Sequence, residues 1–121
     1  MNEIQLEGFE NNPIVKKSFL FALEIIQVAE ILEERKKFVI ANQLLKSGTS
    51  IGANVWESQH AECKADFIHK LKIAAKEAIE TEYWLLLCKL SPNYPTVSDK
   101  LEKLLELQKL MSKIISTSKK N

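Results

Sequence analysis

The chain has 121 residues, 45% of them hydrophobic and 27% charged, which suits one domain with a single apolar core that needs neither disulfides nor metal. Its two cysteines, Cys63 and Cys88, are too few for a disulfide framework or a zinc site, which indicates a reducing, cytoplasmic compartment. The net charge of +1 gives no overall attraction to nucleic acid.

No targeting or membrane segment is expected. The N-terminus carries acidic residues where a signal peptide needs a basic and then an apolar stretch. No apolar run approaches the roughly 18 residues of a membrane span. We therefore expect neither secretion nor a membrane partner.

Residues 1–11 are predicted to be a tail, and residues 12–121 a helical domain. The pair Asn12-Pro13 provides an N-cap and a proline in the first turn. Apolar residues then recur at 4-3-4-3 spacing and predict a first helix that ends near Glu33. These residues are Val15, Phe19, Ala22, Ile26 and Ala29.

A second helix is predicted from Phe38 to about Gln59 or His60, after a charged turn. Its stripe is Phe38, Ala41, Leu45, Gly48, Gly52 and Val55. Each glycine inside a helix costs roughly 1 kcal/mol relative to alanine, so we expect another backbone to approach closely there. That neighbour belongs either to the same chain or to another copy of it.

The third helix is predicted from about Lys64 to Leu90, because Ser91 precedes a proline and so avoids helical geometry. Its apolar residues form three stripes that cover most of its circumference, which favours self-association. The alternative is that Trp84 and Leu87 only widen the core stripe. The stripes are Phe67, Leu71, Ala74, Ala78 and Leu85; Ile68, Ala75, Ile79 and Leu86; and Ile73, Trp84 and Leu87.

A leucine-rich fourth helix follows the rigid turn at residues 92–95. Thr96 with Asp99 three residues later resembles a capping box, with Asp in place of the usual Glu. Its apolar residues are Leu101, Leu104, Leu105, Leu107, Leu110, Met111, Ile114 and Ile115. Four helices with short connections predict an all-α fold, an antiparallel up-down-up-down four-helix bundle.

Two sequence blocks resemble a known family. The run Lys46-Ser-Gly-Thr-Ser-Ile-Gly-Ala-Asn-Val55, followed by Glu57, resembles the SGTSIGAN-hydrophobic-x-E signature of the four-helix-bundle family also called the 23S rRNA intervening-sequence protein family. Residues 64–78 and the ETEYWL run at 80–85 resemble the second block of that family. The chain departs from the pattern at Trp56, where a small residue is usual, and at Cys63, where a serine N-cap is usual.

The resemblance implies an antiparallel bundle that assembles into a homo-oligomer, with a ring-like pentamer as the expected form. Some relatives are encoded within insertions in large-subunit ribosomal RNA genes. A similar family member is an accessory protein of diversity-generating retroelements that is thought to bind nucleic acid and a reverse transcriptase. The resemblance implies no enzymatic activity.

Two Glu/Asp-x-x-His pairs, Glu57 with His60 and Asp66 with His69, have the spacing of metal ligands in bundle cores. They flank the predicted turn between the second and third helices, whereas a di-metal site needs inward ligands at mid-bundle. We therefore expect solvated side chains and no cofactor. We also find no nucleophile–base pair and no phosphate loop, and predict no catalytic residue.

A structural polar network is predicted between the signature and the third helix. Glu77 lies on a largely apolar stripe, where a carboxylate needs a hydrogen-bonding partner, and the signature supplies hydroxyl and amide groups. A catalytic carboxylate is the lesser alternative. The residues assigned to structure or assembly are Gly48, Gly52, Asn54, Glu77, Glu80 and Trp84.

In an up-down-up-down bundle, residues 10–22, 51–72 and 109–121 share one end, with nine lysines against four acidic residues. This end is a candidate phosphate-binding surface. The competing interpretation is ordinary, since lysines favour helix C-termini and keep surfaces soluble. The candidate residues are Lys16, Lys17, Lys64, Lys70, Lys72, Lys109, Lys113, Lys119 and Lys120.

Three functional hypotheses follow. The first is a non-enzymatic oligomeric bundle that binds structured RNA or DNA through the lysine-rich end, as an accessory to a nucleic-acid enzyme such as a reverse transcriptase. The second is a scaffold that binds a protein through the same rim or near Trp56, without nucleic acid. The third, which we favour least, is a metal-dependent enzyme.

Overall fold

The computed structural model describes residues 11–120, and this part of the chain forms four α-helices and no strand. The helices are α1 (Pro13–Glu34), α2 (Phe38–Ser58), α3 (Lys64–Leu90) and α4 (Ser98–Lys120). The predicted tail, residues 1–11, lies outside the described residues except for Asn11, and so does Asn121. No helix in the described range is both long enough and apolar enough to cross a membrane.

The ends of the first three helices lie within two residues of their predicted positions, and the cap of α4 lies one residue after the predicted Thr96. Helix α4 begins at Ser98, and the carbonyl of Val97 accepts a hydrogen bond from the Leu101 amide at 3.0 Å. Val97, not Thr96, therefore occupies the capping position. The side chain of Val97 is buried in the core, which explains why an apolar residue begins this helix.

Side-chain caps are missing at the starts of α1 and α3. Asn12 occupies the N-cap position of α1, but its side-chain oxygen accepts no hydrogen bond from the first turn; its side-chain nitrogen instead donates to the side-chain oxygen of Gln59 at 3.0 Å. Cys63 is the N-cap of α3 and makes no side-chain cap hydrogen bond. The Asn12 bond joins the start of α1 to the end of α2.

The four helices pack around a square. Helix α1 contacts α2 and α4, and α3 contacts the same two helices, whereas within residues 11–120 the diagonal pairs make no close packing. The largest fully buried side chains come from all four helices, and they include Phe21, Leu44, Leu71 and Leu104. The outer α1–α2 face and the outer α3–α4 face therefore lie on opposite sides of the molecule.

The predicted apolar stripe of α1 is only partly in the core. Val15 and Ala29 are buried, but Phe19 is half-buried and Ile26 is exposed. The core is instead filled by a neighbouring stripe of the same helix that contains Phe21, Ile25, Val28 and Leu32. Helix α1 thus has two apolar faces, one turned toward the core and one toward the surface.

Both glycines of the signature face α1 of the same chain. A Cβ atom on Gly48 would lie 2.7 Å from Cγ2 of Ile25, and one on Gly52 would lie 3.2 Å from the main-chain oxygen of Ser18. The sequence left open whether these glycines approach the same chain or another copy of it. The neighbour is α1 of the same chain. This close approach explains why this helix tolerates two glycines.

The turns that join α1 to α2 and α3 to α4 meet at one end of the molecule. The Arg35 guanidinium donates to the carbonyl of Asn93 at 3.4 Å, and Nζ of Lys37 lies 5.1 Å from the ring centroid of Tyr94. We call this the far end, because it lies opposite the predicted lysine-rich end.

Candidate nucleic-acid interface

The lysine-rich end combines the start of α1, the end of α2, the start of α3 and the end of α4. The Asn12–Gln59 bond joins α1 to α2, and Nζ of Lys70 lies 2.9 Å from a carboxylate oxygen of Glu57, which joins α3 to α2. The side chains of Lys72 on α3 and Lys119 on α4 lie close enough for the charge of one to lower the pKa of the other. The segments that the sequence assigned to one end are therefore together in space.

Three of the candidate lysines line an open groove between α1 and α4. Lys17, Lys109 and Lys113 surround a volume of about 380 Å³, with Glu106 and Leu110. Nζ of Lys17 lies 3.4 Å from a carboxylate oxygen of Glu106, and both side chains are more than half exposed. Such an exposed pair is weak, so the groove keeps an excess of positive charge.

Lys72 and Lys119 form a second basic feature, on the α3–α4 side of the same end. The pKa of Lys72 is lowered from its ordinary value because the side chain of Lys119 lies close by and the two positive charges repel. An anion placed between two neighbouring ammonium groups relieves their repulsion. Lys72 and Lys119 therefore form a local concentration of positive charge.

The remaining candidate lysines differ in their surroundings. The pKa of Lys70 is raised by its hydrogen bond with Glu57 and by the charge of that carboxylate, so this lysine stays charged and is paired with a carboxylate. Lys16, Lys64 and Lys120 are exposed on the surface. The nine candidate lysines therefore fall into four groups: three line the groove, two form the Lys72–Lys119 pair, Lys70 is paired with Glu57, and the other three are exposed.

Two further lysines of α4 pair with a glutamate of α1 and were not singled out from the sequence. Nζ of Lys103 lies 2.7 Å from one carboxylate oxygen of Glu24, and Nζ of Lys100 lies 3.3 Å from the other. These pairs tie α4 to α1. Each lysine lies more than 70 residues after Glu24 in the sequence. Sequence spacing therefore could not predict these ion pairs.

The structure places the two Glu/Asp-x-x-His pairs beside the α2–α3 turn. The carboxylate of Glu57 is paired with Lys70, and the side chains of His60 and His69 are exposed. Within residues 11–120, no group of three or more His, Cys, Asp or Glu side chains is arranged to hold a metal ion.

A polar contact joins the signature to α3, although it involves Thr81, which the sequence had not suggested. The hydroxyl groups of Ser47 and Thr81 hydrogen-bond at 2.9 Å, and the Thr81 hydroxyl lies 2.8 Å from the main-chain carbonyl oxygen of Glu77. The Glu80 carboxylate instead accepts from the indole N–H of Trp84 at 3.1 Å. In the sequence, Thr81 stands out only as a polar residue between Ala78 and Leu85 on the stripe of α3 that faces the core. That signal does not identify its hydrogen-bond partner.

The remaining signature amide has a local role. The side-chain amide of Asn54 donates to the main-chain oxygen of Ser50 at 2.9 Å, within α2. Trp56 lies beside the signature, with its ring centroid 6.4 Å from that of Phe19. This departure from the family pattern therefore adds an aromatic side chain to the outer α1–α2 face.

With this geometry established, comparison with known proteins identifies the family. The family model described as 23S rRNA-intervening sequence protein matches residues 10–117. The chain belongs to this family. Among curated proteins, none matches the chain.

A solved structure supports the assignment of this chain to the 23S rRNA-intervening sequence protein family. It is a protein of unknown function from the S23 ribosomal protein family of Bacteroides thetaiotaomicron, 42% identical to this chain, with a TM-score of 0.80. The match covers 84% of this chain and 97% of that one. The family resemblance drawn from the two sequence blocks is therefore confirmed, as is the fold of four helices.

Proposed function

We propose that this chain is a non-enzymatic protein that binds the backbone of structured RNA or DNA through its lysine-rich end. The observation that carries the proposal is the grouping of Lys17, Lys109 and Lys113 around one open groove, with the Lys72–Lys119 pair at the same end. Lysines contact phosphates without reading base edges, so we expect little sequence preference and a strong dependence on salt.

We infer that the protein acts in the cytoplasm as an accessory to a nucleic-acid enzyme, with a reverse transcriptase as one candidate. The family resemblance supports this role. A small bundle that exposes a basic end and carries no predicted catalytic residue suits a protein that holds nucleic acid for another enzyme.

We further infer an up-down-up-down bundle that assembles into a homo-oligomer, with a pentameric ring as the preferred form. The helix direction is supported by paired contacts, since Lys17 pairs with Glu106 while Glu24, further along α1, pairs with Lys103, earlier in α4. Assembly is supported by large apolar side chains that α3 exposes to solvent. A ring would repeat the lysine-rich end around one rim and multiply its contacts with a phosphate backbone.

The experiment is the binding of a labelled RNA hairpin at low salt, followed by fluorescence anisotropy. Neutralising Lys109, Lys113, Lys119 and Lys120 to Gln should weaken binding roughly tenfold or more, because phosphate contacts dominate affinity. The control variant neutralises Arg35, Lys36, Lys37 and Lys46, which removes the same charge away from this end.

Two results would contradict the proposal. One is a wild-type protein that binds neither the hairpin nor duplex DNA at low salt. The other is an equal loss of binding in both variants, which would show that total charge alone governs the interaction. A wild type that ignores nucleic acid but captures a single protein, regardless of nuclease treatment, would favour the scaffold hypothesis instead.

A further inference from the structure

A small pocket lies between ion pairs that join α1 to α4. Nζ of Lys17 lies 3.4 Å from a carboxylate oxygen of Glu106, and Nζ of Lys103 lies 2.7 Å from a carboxylate oxygen of Glu24, nearer the far end. These four side chains line the pocket, which has a volume of about 190 Å³. Its other lining residues are apolar: Leu20, Phe21 and Leu107. We call this cavity the seam pocket.

The seam pocket adjoins the basic groove between α1 and α4. Lys17 and Glu106 line both cavities, whereas Lys109 and Lys113 line only the groove. The Lys17–Glu106 pair at the boundary is exposed on both sides, so separating it costs little free energy. The seam between the two helices therefore has an apolar part and a basic part, which meet at an ion pair that can open.

The volume and lining of the seam pocket match one small ring. An apolar cavity of about 150 Å³ lined by Leu, Ile and Phe side chains holds benzene, so the seam pocket has room for a slightly larger single ring. Drug-sized ligands need about 300 Å³ or more. The Glu24 carboxylate accepts hydrogen bonds and the Lys103 ammonium donates them, so both kinds of polar group on the edge of a heterocycle find a partner.

The adjoining groove indicates which ring. Lys109 and Lys113 attract an anion, and a nucleotide carries a phosphate close to its base. An aromatic side chain of a protein partner has a ring of similar size but brings no anion to these lysines. The combination of a ring-sized pocket and a basic groove is thus typical of a nucleotide site.

We propose that the seam pocket binds the base of one unpaired pyrimidine nucleotide while the groove binds its phosphate. This inference rests on the proposed function and adds a base contact to it. Lys17 leaves Glu106 and contacts the phosphate, and the Glu106 carboxylate then accepts a hydrogen bond from the base. Bases inside a duplex are paired and stacked, so the ligand is a structured RNA with a bulged or looped-out pyrimidine.

The first test compares labelled RNA hairpins that differ at one position, with binding followed by fluorescence anisotropy. One hairpin carries a bulged uridine, one carries the same bulge without its base, and one is fully paired. We expect the uridine bulge to bind roughly fivefold more tightly than the other two, because one base is stacked and buried. Equal affinity for the uridine and abasic bulges would overturn the proposal. A bulged adenosine that binds as tightly as the uridine would overturn the assignment to a pyrimidine, since its two fused rings exceed the pocket.

A variant that fills the seam pocket tests its location. Leu20→Trp adds bulk at a half-buried position of the pocket and leaves every charge in place. It should abolish the preference for the uridine bulge and keep the wild-type affinity for the paired hairpin. Circular dichroism checks that the variant remains helical.

The same helix offers a matched control. Leu23 is also half-buried, but it lines the outer α1–α2 face and not the seam pocket. Leu23→Trp should therefore keep the preference for the uridine bulge. A folded Leu20→Trp protein that keeps the preference, or a folded Leu23→Trp protein that loses it, would overturn the proposal.

A measurement on the wild type does not depend on the folding of either variant. Thiouridine placed in the bulge crosslinks on irradiation to the residues that it contacts, and mass spectrometry identifies the crosslinked peptides. We expect crosslinks to residues 20–24 of α1 or 103–107 of α4. Crosslinks confined to other parts of the chain would contradict the proposed site.

These outcomes separate this inference from the proposed function. A wild type that binds the paired hairpin through its lysine-rich end, and gains nothing from the bulged base, disproves the base site and leaves the proposed function standing. A wild type that binds none of the hairpins at low salt disproves both.

Discussion

At the scale of single residues, Gly48 shows why the family signature concerns architecture. The helix accepts an unfavourable residue there because the side chain of Ile25 occupies the place of a Cβ atom. The sequence predicts that some neighbour comes close, since a helical glycine needs a reason. It does not predict which neighbour, because Ile25 belongs to an α1 stripe that spacing alone did not distinguish from the Phe19 stripe.

Gly48→Ala is expected to destabilise the protein by about 1 kcal/mol. Alanine gains roughly 1 kcal/mol in helix propensity, but overpacking against Ile25 costs about 1–3 kcal/mol, and the contact distance of 2.7 Å favours the larger cost. Urea unfolding of both proteins measures the difference.

A double-mutant cycle isolates that contact. In an Ile25→Ala background the γ carbons of Ile25 are gone, so Gly48→Ala should no longer destabilise the protein and should recover its propensity gain. A Gly48→Ala protein more stable than the wild type would contradict the close packing of α2 on α1.

At the scale of helices, α3 illustrates both what sequence patterns predict and where they stop. Its two ends, Lys64 and Leu90, follow from its apolar periodicity and from the proline at position 92. Its three apolar stripes do not reveal which of them faces the core, because that depends on where α2 and α4 lie. The structure turns the stripe with Leu71 and Leu85 inward and exposes Ile79 and Leu86.

The capping residue of α4 differs from the predicted one by a single position, for a related reason. Thr96 and Asp99 satisfy a local capping pattern, but the burial of Val97 determines where the helix begins. In the same way, the Lys70–Glu57 pair could not be read from spacing, since the two residues come from different helices. Short sequence patterns predict where the helices lie. Packing between the helices determines which side chains come into contact.

The capping position of α3 provides the prediction at this scale. Cys63 has the extended backbone of an N-cap (φ −150°, ψ 168°) but no side-chain hydrogen bond. Cys63→Ser should therefore raise the free energy of unfolding by about 1 kcal/mol, since a serine hydroxyl accepts from a free amide of the first turn. Chemical denaturation of Cys63→Ala serves as the control; equal midpoints for the serine and alanine variants would exclude a capping effect.

At the scale of the whole molecule, the proposed surfaces lie in different places. Apolar side chains are exposed on the two opposite outer faces, and positive charge is concentrated at one end of the bundle. The proposed ring would bring the lysine-rich ends of its copies to one rim. This arrangement would bind a phosphate backbone through several copies, each contributing modest affinity.

The most direct measurement is the salt dependence of RNA binding for the wild type and the two four-residue neutralised variants. Each phosphate contact contributes about 0.7–0.9 to the slope of log affinity against log salt. The account predicts a steep slope for the wild type, a similar slope after neutralisation of Arg35, Lys36, Lys37 and Lys46, and a clearly shallower slope after neutralisation of Lys109, Lys113, Lys119 and Lys120. Equal slopes for all three proteins would contradict a phosphate-binding site at the lysine-rich end.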